Sequence, residues 1–388
     1  MSLRRKVYLD YAATTPVDPE VLEVMRPYFS RDFGNPSSLH SFGQEAKKVL
    51  EQSRSIIAKA IGARNEEIIF TSSATESNNL SLKGIAFANK DKGDHLIISS
   101  IEHECVLNTA KWLSKQGFAM TQVPVDKFGL VNPGDIEKAI RKETILVSVI
   151  WANNEIGTIQ PIEKIGKICR TKNVLFHTDA AQSFGKLPID VAKINIDLLT
   201  ASSHKVYGPK GAAFLFVRQG VNIEPLLAGG GQEFGLRSST ENLAAIVGFA
   251  KATEIAIRLM EKENQRLSAL RNRIVEQILK KVSDSYLNGH PEKRIANLAN
   301  LRFAYVEGES ITMELDSYGI AVSTGSACSS PKLEPSHVLL ALGLKPEEIH
   351  GSVRISLGRW TTEEEIDYLL EVLPKVVEKL RKISPFSR

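Results

Sequence analysis

The sequence predicts an α/β fold built on a mainly parallel sheet, and three observations support this. Short β-rich runs alternate with helical stretches between residues 62 and 217, a pattern typical of a parallel sheet covered by helices on both faces. Polar residues follow directly after five of these runs, where ligands gather in open α/β sheets. The length of 388 residues exceeds the usual range of a single core and predicts two domains.

Five β-rich runs are expected to be strands, and each ends in side chains that can take part in catalysis. The runs and their tips are Ile68–Phe70 before Thr71–Ser77, Leu96–Ile98 before Ser99–His103, Ile145–Ile150 before Asn153–Gly157, Val174–His177 before Asp179–Gln182, and Leu198–Leu199 before Ser202–Lys205. Because the carboxyl ends of parallel strands lie at one edge of a sheet, we expect these tips to converge on one site. That convergence indicates an enzyme.

Two long helices and a smaller second domain complete the predicted fold. Apolar residues at helical spacing predict helices at Phe42–Gly62, where the glycine suits the C-terminal stop, and at Leu243–Val282. Beyond them we expect strands at Ala299–Ala304 and Gly319–Val322, and helices at Val338–Leu342 and Thr361–Leu380. We therefore assign residues 17–260 to a large α/β domain, and residues 1–16 with 261–388 to a small α+β domain.

The composition is ordinary for a globular protein and excludes several classes. The net charge of +4, from 49 basic and 45 acidic residues, is too small to indicate binding to nucleic acid or to an anionic membrane. No apolar run approaches the length of a membrane span, and the first residues lack the apolar core of a secretory signal. Three widely spaced cysteines indicate neither a disulfide framework nor a structural zinc site. We expect a cytoplasmic protein with reduced thiols.

Several tip residues suit one particular cofactor. Lys205 lies in a polar loop between two predicted strands, where a desolvated amine can attack a carbonyl and form a Schiff base. Asp179 can pair with a protonated ring nitrogen, His103 can stack on a ring or move protons, and the hydroxyls of Thr71–Ser77 suit a phosphate at a helix N-terminus. Taken singly, these residues have ordinary alternatives as a solvated lysine, a helix cap, a surface histidine and a capping turn. Together they describe a pyridoxal phosphate pocket.

A second group of candidates lies in the predicted small domain. Cys328 belongs to the small, polar run Ser323–Lys332, which has no large apolar residue to bury it, so a reactive thiol is predicted. Cys105 and Cys169 are interpreted as buried apolar residues. Arg354 alternates with apolar residues as on a strand, and its guanidinium can clamp a substrate carboxylate in bidentate fashion. A surface salt bridge is an equally favoured alternative for this arginine.

Motifs spread over nearly the whole chain resemble one family. They are Tyr8–Thr15, Ala74–Glu76, Glu102–His103, Asn153–Gly157, Asp179–Gln182, Ser202–Lys205, Gly229–Glu233, Arg237–Thr240, Gly325–Cys328 and Thr361–Asp367. With these motifs in this order, the chain resembles the cysteine desulfurases of the NifS/IscS type, which are fold-type I pyridoxal phosphate enzymes. The resemblance implies a large domain with a mainly parallel sheet, a smaller α+β domain that carries the Cys328 loop, and a homodimer.

The resemblance also implies roles for the residues around the cofactor. Lys205 would hold pyridoxal 5'-phosphate as a Schiff base and act as a base on the substrate, and His103 would stack on the ring and assist proton transfer. Asp179 would bind the pyridine nitrogen and Gln182 the ring hydroxyl. The residues implied for the phosphate and its surroundings are Ala74, Thr75, Asn154, Ser202, His204 and, from the other subunit, Thr240.

The implied reaction takes sulfur from free L-cysteine. Asn154 and Arg354 would grip the substrate carboxylate, and the Cys328 thiolate would attack the substrate sulfur. A persulfide then remains on Cys328 and L-alanine is released. The persulfide would pass to an iron–sulfur scaffold of the IscU type or to another acceptor, such as one for tRNA thiolation. No permanent metal is implied, although Cys328 and a scaffold could share a nascent cluster transiently.

Two departures from the family pattern affect these expectations. Many bacterial relatives carry a longer C-terminal tail that docks the scaffold, so the contacts with a scaffold are expected to differ or to be fewer here. Ser203 and Ser239 stand where relatives commonly have glycine or alanine, and we expect the geometry to survive both changes.

Three other readings of the sequence remain open. A selenocysteine lyase would share most of this pocket, and another fold-type I aminotransferase would not need Cys328. A catalytically inactive scaffold-type protein would have lost Lys205, Asp179 or Cys328, and all three are present.

Overall fold

The computed structural model describes residues 6–324 and 335–385 of the chain. The strands are β1 (Val7–Tyr8), β2 (Ile68–Thr71), β3 (His95–Ser99), β4 (Ala119–Val123), β5 (Thr144–Ser148), β6 (Leu175–Asp179), β7 (Leu198–Ser202), β8 (Ala213–Val217), β9 (Ser285–Asn288), β10 (Leu298–Phe303), β11 (Ile320–Ala321) and β12 (Ser352–Ser356). The helices are α1 (Pro19–Met25), α2 (Ser41–Ile61), α3 (Ala74–Asn79), α4 (Ile85–Ala88), α5 (Glu104–Lys115), α6 (Pro133–Ala139), α7 (Ile162–Lys172), α8 (Val191–Ile194), α9 (Leu243–Lys281), α10 (Gly308–Ser317), α11 (His337–Ala341), α12 (Pro346–Ile349) and α13 (Glu363–Ile383).

The largest sheet in the described part of the chain has seven strands in the order β2-β8-β7-β6-β5-β3-β4. Strands β4, β3, β5, β6 and β7 run parallel, whereas β8 is antiparallel to both of its neighbours. Every residue of β3, β5, β7 and β8 is buried, as expected for strands covered on both faces. The predicted α/β class with a mainly parallel sheet is therefore confirmed.

Two apolar cores lie at the two ends of α9. Its first half packs into the core of the large sheet through residues such as Phe249, Ile255 and Ala256. Its second half packs, from Leu267 onward, into a core that also contains β10, β12 and α13. The predicted domain boundary between residues 260 and 261 stays a prediction. In α9, Ala256 packs in the first core and Leu267 in the second, so the change of core lies between these two residues.

The second core covers a three-stranded antiparallel sheet, β12-β10-β9, and a short parallel pair, β1 with β11. Arg354 pairs with Asn300 in the register of β12 and β10. The N-terminal segment, residues 7–16, leaves β1 and bridges to Ser356 of β12 through Asp10. It then crosses to the large sheet, where the backbone N–H of Thr15 donates to the carbonyl oxygen of His204. This crossing brings the segment to the edge where the catalytic candidates lie.

The long elements agree closely with the sequence prediction, and two edge strands do not appear in it. Gly62 ends α2 with a left-handed backbone, φ 68°, as predicted for a glycine stop. The sequence analysis did not predict β4 or β9. Both are edge strands with partly exposed residues, so their apolar pattern is weak. Among residues 6–324 and 335–385, no helix combines the length and the apolar character needed to cross a membrane.

Candidate active site

The candidate residues lie at one edge of the central sheet. Strands β3, β5, β6 and β7 are parallel neighbours, so their carboxyl ends lie on the same side. Strand β2 ends there as well, because β2 and β7 are both antiparallel to β8. The structure therefore brings together the five strand tips that the sequence singled out.

Lys205 follows β7 at the end of the single tight turn Ser203–Lys205. Its Nζ donates hydrogen bonds to the carbonyl oxygens of Ala12 and Ala13, at 2.6 and 2.7 Å. The backbone N–H of Thr15 donates to the carbonyl oxygen of His204 at 3.0 Å and ties the same segment to this turn. The amine is thus fixed at the sheet edge by an N-terminal segment that is distant in sequence.

Asp179 is the last residue of β6, Gln182 lies three residues further on, and both are buried. Asp179 Oδ2 accepts a hydrogen bond from Asn78 Nδ2 at 2.7 Å, and Oδ1 accepts one from the backbone N–H of Ala181 at 2.9 Å. Gln182 Nε2 donates to the carbonyl oxygen of Ala12 at 2.9 Å. The same oxygen accepts the hydrogen bond from Lys205 Nζ, so the carbonyl of Ala12 connects the tips of β6 and β7.

His103 is the N-cap of α5, which begins immediately after it. Its Nδ1 accepts a hydrogen bond from the backbone N–H of Cys105 at 3.2 Å and lies 3.0 Å from Cys105 Sγ. The interpretation of Cys105 as a buried apolar residue is therefore wrong. This cysteine is only partly buried and belongs to a polar network at the site, whereas the burial predicted for Cys169 is confirmed.

The candidates for the phosphate surround the start of α3 and the end of β7. Ala74 and Thr75 form the first turn of α3, with Thr75 exposed, and Ser202 is buried at the end of β7. His204 Nδ1 lies 3.1 Å from Thr14 Oγ1. Burial and the positive charges of Lys205, Lys210 and Lys186 lower the pKa of His204 to about 4. Its imidazole is therefore neutral near pH 7 and can donate one hydrogen bond while accepting another.

Arg354 is buried in the middle of β12, with 4 % of its surface exposed. Its Nη2 donates to Asp10 Oδ1 at 2.8 Å and its Nη1 donates to the carbonyl oxygen of Asn154 at 3.0 Å. Among the described residues its Nε has no hydrogen-bond partner. The strand predicted around this residue is confirmed, and the alternative of a surface salt bridge is wrong because the guanidinium is buried.

Glu102, which precedes His103, is an uncharged acid in the wall of the site. Its side chain is fully buried, and Oε1 accepts hydrogen bonds from the hydroxyl of Ser99 and from the backbone N–H of Ile150. Burial raises the pKa of this carboxyl to about 8, in spite of these hydrogen bonds. The carboxyl therefore joins the tips of β3 and β5 without adding a full negative charge beside Asp179.

The donor set fits pyridoxal 5'-phosphate. A primary amine suits the aldehyde, a buried carboxylate suits the pyridine nitrogen, and hydroxyls at the start of a helix suit the phosphate. In the described part of the chain, the buried atoms Asn78 Oδ1, Ser203 Oγ and Arg354 Nε have no protein partner. Such atoms leave hydrogen-bonding capacity at this edge for a polar ligand and its substrate.

Sequence reasoning gave no role to several residues that shape the site. Asn78 and Asp10 contact the candidates directly, and Glu155 Oε2 accepts a hydrogen bond from Ser336 Oγ at 2.5 Å. Asn78 lies between Ser77 and Asn79, so no local pattern distinguishes it. Thr240 is exposed, and Cys328 lies outside the described residues.

Fold and site together define an α/β enzyme with a lysine at the sheet edge in a position suited to a carbonyl cofactor. The family model for class-V aminotransferases matches residues 7–369. A "Cysteine desulfurase IscS" of Dictyoglomus turgidum is 52% identical over 386 residues, which are 100% of this chain and 98% of that protein. A "Cysteine desulfurase IscS 1" of Archaeoglobus fulgidus is 55% identical over 381 residues, covering 98% of this chain and 99% of that protein.

A solved structure described as a "NifS-like protein" is similar with a TM-score of 0.91 and 39% identity. It covers 97% of this chain and 100% of its own. The chain belongs to the class-V aminotransferase family. Like the other enzymes of this family, it depends on pyridoxal 5'-phosphate, which confirms the resemblance and the cofactor predicted from the sequence.

Proposed function

We propose that this chain is a cysteine desulfurase that takes sulfur from L-cysteine and passes it to Cys328. The observation that carries the proposal is the meeting of Lys205, Asp179 and His103 at one sheet edge, opposite a buried arginine. The desulfurase names of relatives that match nearly the whole chain support the same activity.

Pyridoxal 5'-phosphate, when bound, supplies an electron sink for the negative charge that develops at the substrate Cα. In the proposed assignment Asp179, buried and fixed by Asn78, binds the pyridine nitrogen and keeps it protonated. Gln182 binds the ring hydroxyl. His103 stacks on the ring, and its fixed position at the start of α5 limits the angles that the imidazole can adopt.

Lys205 would hold the cofactor aldehyde, and its amine is the base that would take the proton from the substrate Cα. The carbonyls of Ala12 and Ala13 support this role, because they orient the amine without supplying a counter-charge to hold its proton. Thr75, Ser202 and the neutral His204 would hold the phosphate beside the start of α3.

Arg354 and Asn154 bind the substrate carboxylate. Burial of the guanidinium supports this assignment, since a charge–charge contact gains strength where water is excluded. The Cys328 thiolate then attacks the substrate sulfur. A sulfur–sulfur bond forms, the bond between Cβ and sulfur of the substrate breaks, and Cβ takes a proton. Cys328 holds a persulfide and L-alanine leaves.

A homodimer is part of the proposal, with Thr240 reaching the phosphate of the other subunit. Exposed apolar side chains support such an interface: Phe42 begins α2, its ring lies 6.0 Å from that of Phe33, and both are more than half exposed. Arg54 on the same helix lies 5.0 Å from the ring of exposed Phe234, in the loop that leads to Thr240. We further propose that the persulfide passes in the cytoplasm to an iron–sulfur scaffold of the IscU type or to another acceptor.

The test is a visible spectrum of the purified protein before and after addition of L-cysteine, with alanine and sulfide assayed on the wild type and on Cys328→Ala. We expect a yellow protein whose absorbance changes with cysteine and a variant that loses both products. Cys169→Ala, which removes a buried thiol outside the site, should retain them. An active Cys328→Ala variant would indicate an aminotransferase or lyase, and a colourless protein would contradict cofactor binding.

A further inference from the structure

The imidazole of His103 has one nitrogen that is fully engaged by the chain itself. The backbone N–H of Cys105 points at Nδ1 from 3.2 Å, and the Cys105 sulfur lies 3.0 Å from the same nitrogen. A backbone amide can only donate, so Nδ1 must accept and cannot carry a proton in this arrangement. The thiol S–H is then a second donor toward the same lone pair.

The sulfur of Cys105 also accepts a hydrogen bond from a side chain on α3. Asn78 Nδ2 donates to Cys105 Sγ at 3.1 Å and to Asp179 Oδ2 at 2.7 Å. One amide group therefore connects the carboxylate assigned to the pyridine nitrogen with the thiol beside His103, and the network spans the tips of three strands.

The thiol of Cys105 keeps its proton over the whole working range of pH. Burial and the nearby carboxylate of Asp179 raise the pKa of this thiol to about 12, with a smaller contribution from Glu102. Asn78 and Thr75 oppose the shift without cancelling it. A neutral thiol is a weak donor and a poor nucleophile, so Cys105 suits a positioning role and does not compete with Cys328 for sulfur.

We propose that Cys105 is a positioning residue for His103: its backbone N–H fixes the tautomer, and its thiol, held by Asn78, fixes the orientation of the ring. Nδ1 stays unprotonated, and Nε2 is the atom at which the imidazole holds and moves its proton. The inference rests on the proposed function, because it specifies how the histidine of that same site is prepared. The network links the orientation of His103 to Asp179 through two side chains that the sequence analysis had not assigned to the site.

A purely structural role for Cys105 makes a different prediction from a positioning role. If the side chain only fills space at the first turn of α5, alanine and serine should act alike, since both are smaller than cysteine. If the side chain holds Nδ1, serine should act like cysteine because its hydroxyl keeps the donor. The comparison of Cys105→Ser with Cys105→Ala therefore separates the two roles, and Cys169→Ala is the control for loss of a cysteine outside the site.

The first measurement uses cofactor-free protein in which histidine is isotope-labelled, and reads the tautomer of His103 by nitrogen NMR, with the signal assigned by its loss in His103→Gln. We expect the proton on Nε2 in the wild type and in both variants, because the backbone N–H of residue 105 remains. The signals should be sharp in the wild type and in Cys105→Ser, and broadened in Cys105→Ala, where the ring loses the contact that orients it. A proton on Nδ1 in the wild type would overturn the proposal, as would identical spectra for the two variants.

The second measurement uses the holoenzyme and compares kcat and KM for L-cysteine. One hydrogen bond contributes on the order of 1 kcal/mol, so Cys105→Ala should lower kcat about fivefold with little change in KM, and Cys105→Ser should recover most of the loss. Equal losses in both variants would contradict the positioning role. If the wild type has no desulfurase activity, the proposed function fails, and the tautomer measurement still decides the structural part independently.

Discussion

The buried Arg354 forms an ion pair with the partly buried Asp10, from which it is separated by most of the chain. Arg354 Nη2 lies 2.8 Å from Asp10 Oδ1. The backbone of Asp10 also bridges to Ser356 on the same strand as the arginine. The N-terminal segment therefore sets the angle of the guanidinium and leaves Nε without a partner in the described residues. An arginine held in this way is prepared to receive a carboxylate.

Asp10→Asn should raise KM for L-cysteine by about three- to tenfold with kcat nearly unchanged, because it weakens the contact that orients the guanidinium without touching the reacting atoms. Steady-state kinetics over a range of cysteine concentrations checks this. Asp32→Asn, which removes a surface carboxylate paired with Arg31, is the control and should leave KM unchanged. A fall in kcat at constant KM would place Asp10 in the chemical step instead.

Lys205→Ala should abolish the visible absorbance that arises when the cofactor is bound covalently, because no other lysine is fixed by Ala12 and Ala13 at this edge in the described residues. Lys205→Arg is the matched variant: it keeps a positive charge and cannot form a Schiff base. Both variants should bind added cofactor more weakly and lack the visible absorbance band of the covalently bound cofactor. Persistence of that band in either would remove Lys205 from the assignment.

Much of the fold and part of the site could be predicted from local patterns. The alternation of buried runs with helices predicts the sheet, and the polar tips predict which edge of it carries the candidates. Lys205, Asp179 and His103 were found in this way because each directly follows a buried strand. The apolar period of α9 and the glycine at the end of α2 are likewise local signals.

The remaining features depend on pairs that are distant in sequence. Asn78 becomes important only because it meets Asp179 and Cys105, and no local pattern reveals that contact. The two serines that depart from the family pattern both cost stability. Ser239 has a strained backbone with a φ of 131°, and Ser203 Oγ is a buried hydroxyl without a hydrogen-bond partner in the described residues. Sequence comparison identifies such positions, and only the fold explains their cost.

Glu233→Gln should destabilise the protein by about 3 kcal/mol, because it removes the buried counter-charge of the Arg54 guanidinium and leaves the more exposed Glu51, 3.2 Å away. The two side chains form a bidentate pair at 2.7 and 2.9 Å, and Glu233 Oε2 also accepts from the backbone N–H of Phe70 at 2.7 Å. Urea unfolding of the single variants, and of a double variant with Arg54→Met, measures the coupling between them. The exposed pair Lys375–Glu371 is the control, and its coupling is expected to be much smaller. A coupling as small as that of the surface pair would contradict the prediction.

Glu102→Gln should flatten the dependence of stability on pH between about 5 and about 8. The ordinary pKa of a glutamate is 4.5, and burial raises the pKa of Glu102 to about 8 in the folded protein. Between these values the unfolded carboxyl has lost its proton while the folded one keeps it. The folded state therefore binds more protons in this range. The contribution of Glu102 to the free energy of unfolding is full below pH 4.5, falls as the pH rises toward 8, and falls no further above that.

Urea unfolding of the wild type and of Glu102→Gln across this range of pH checks the prediction. The variant has no proton to lose, so the difference in unfolding free energy between the two proteins should shift in favour of the variant with rising pH, by on the order of a few kcal/mol. Glu261→Gln, at an exposed position on α9, is the control and should keep the slope of the wild type. If Glu102→Gln also keeps that slope, Glu102 is ionised in the folded protein, and the wall between β3 and β5 carries a negative charge beside Asp179.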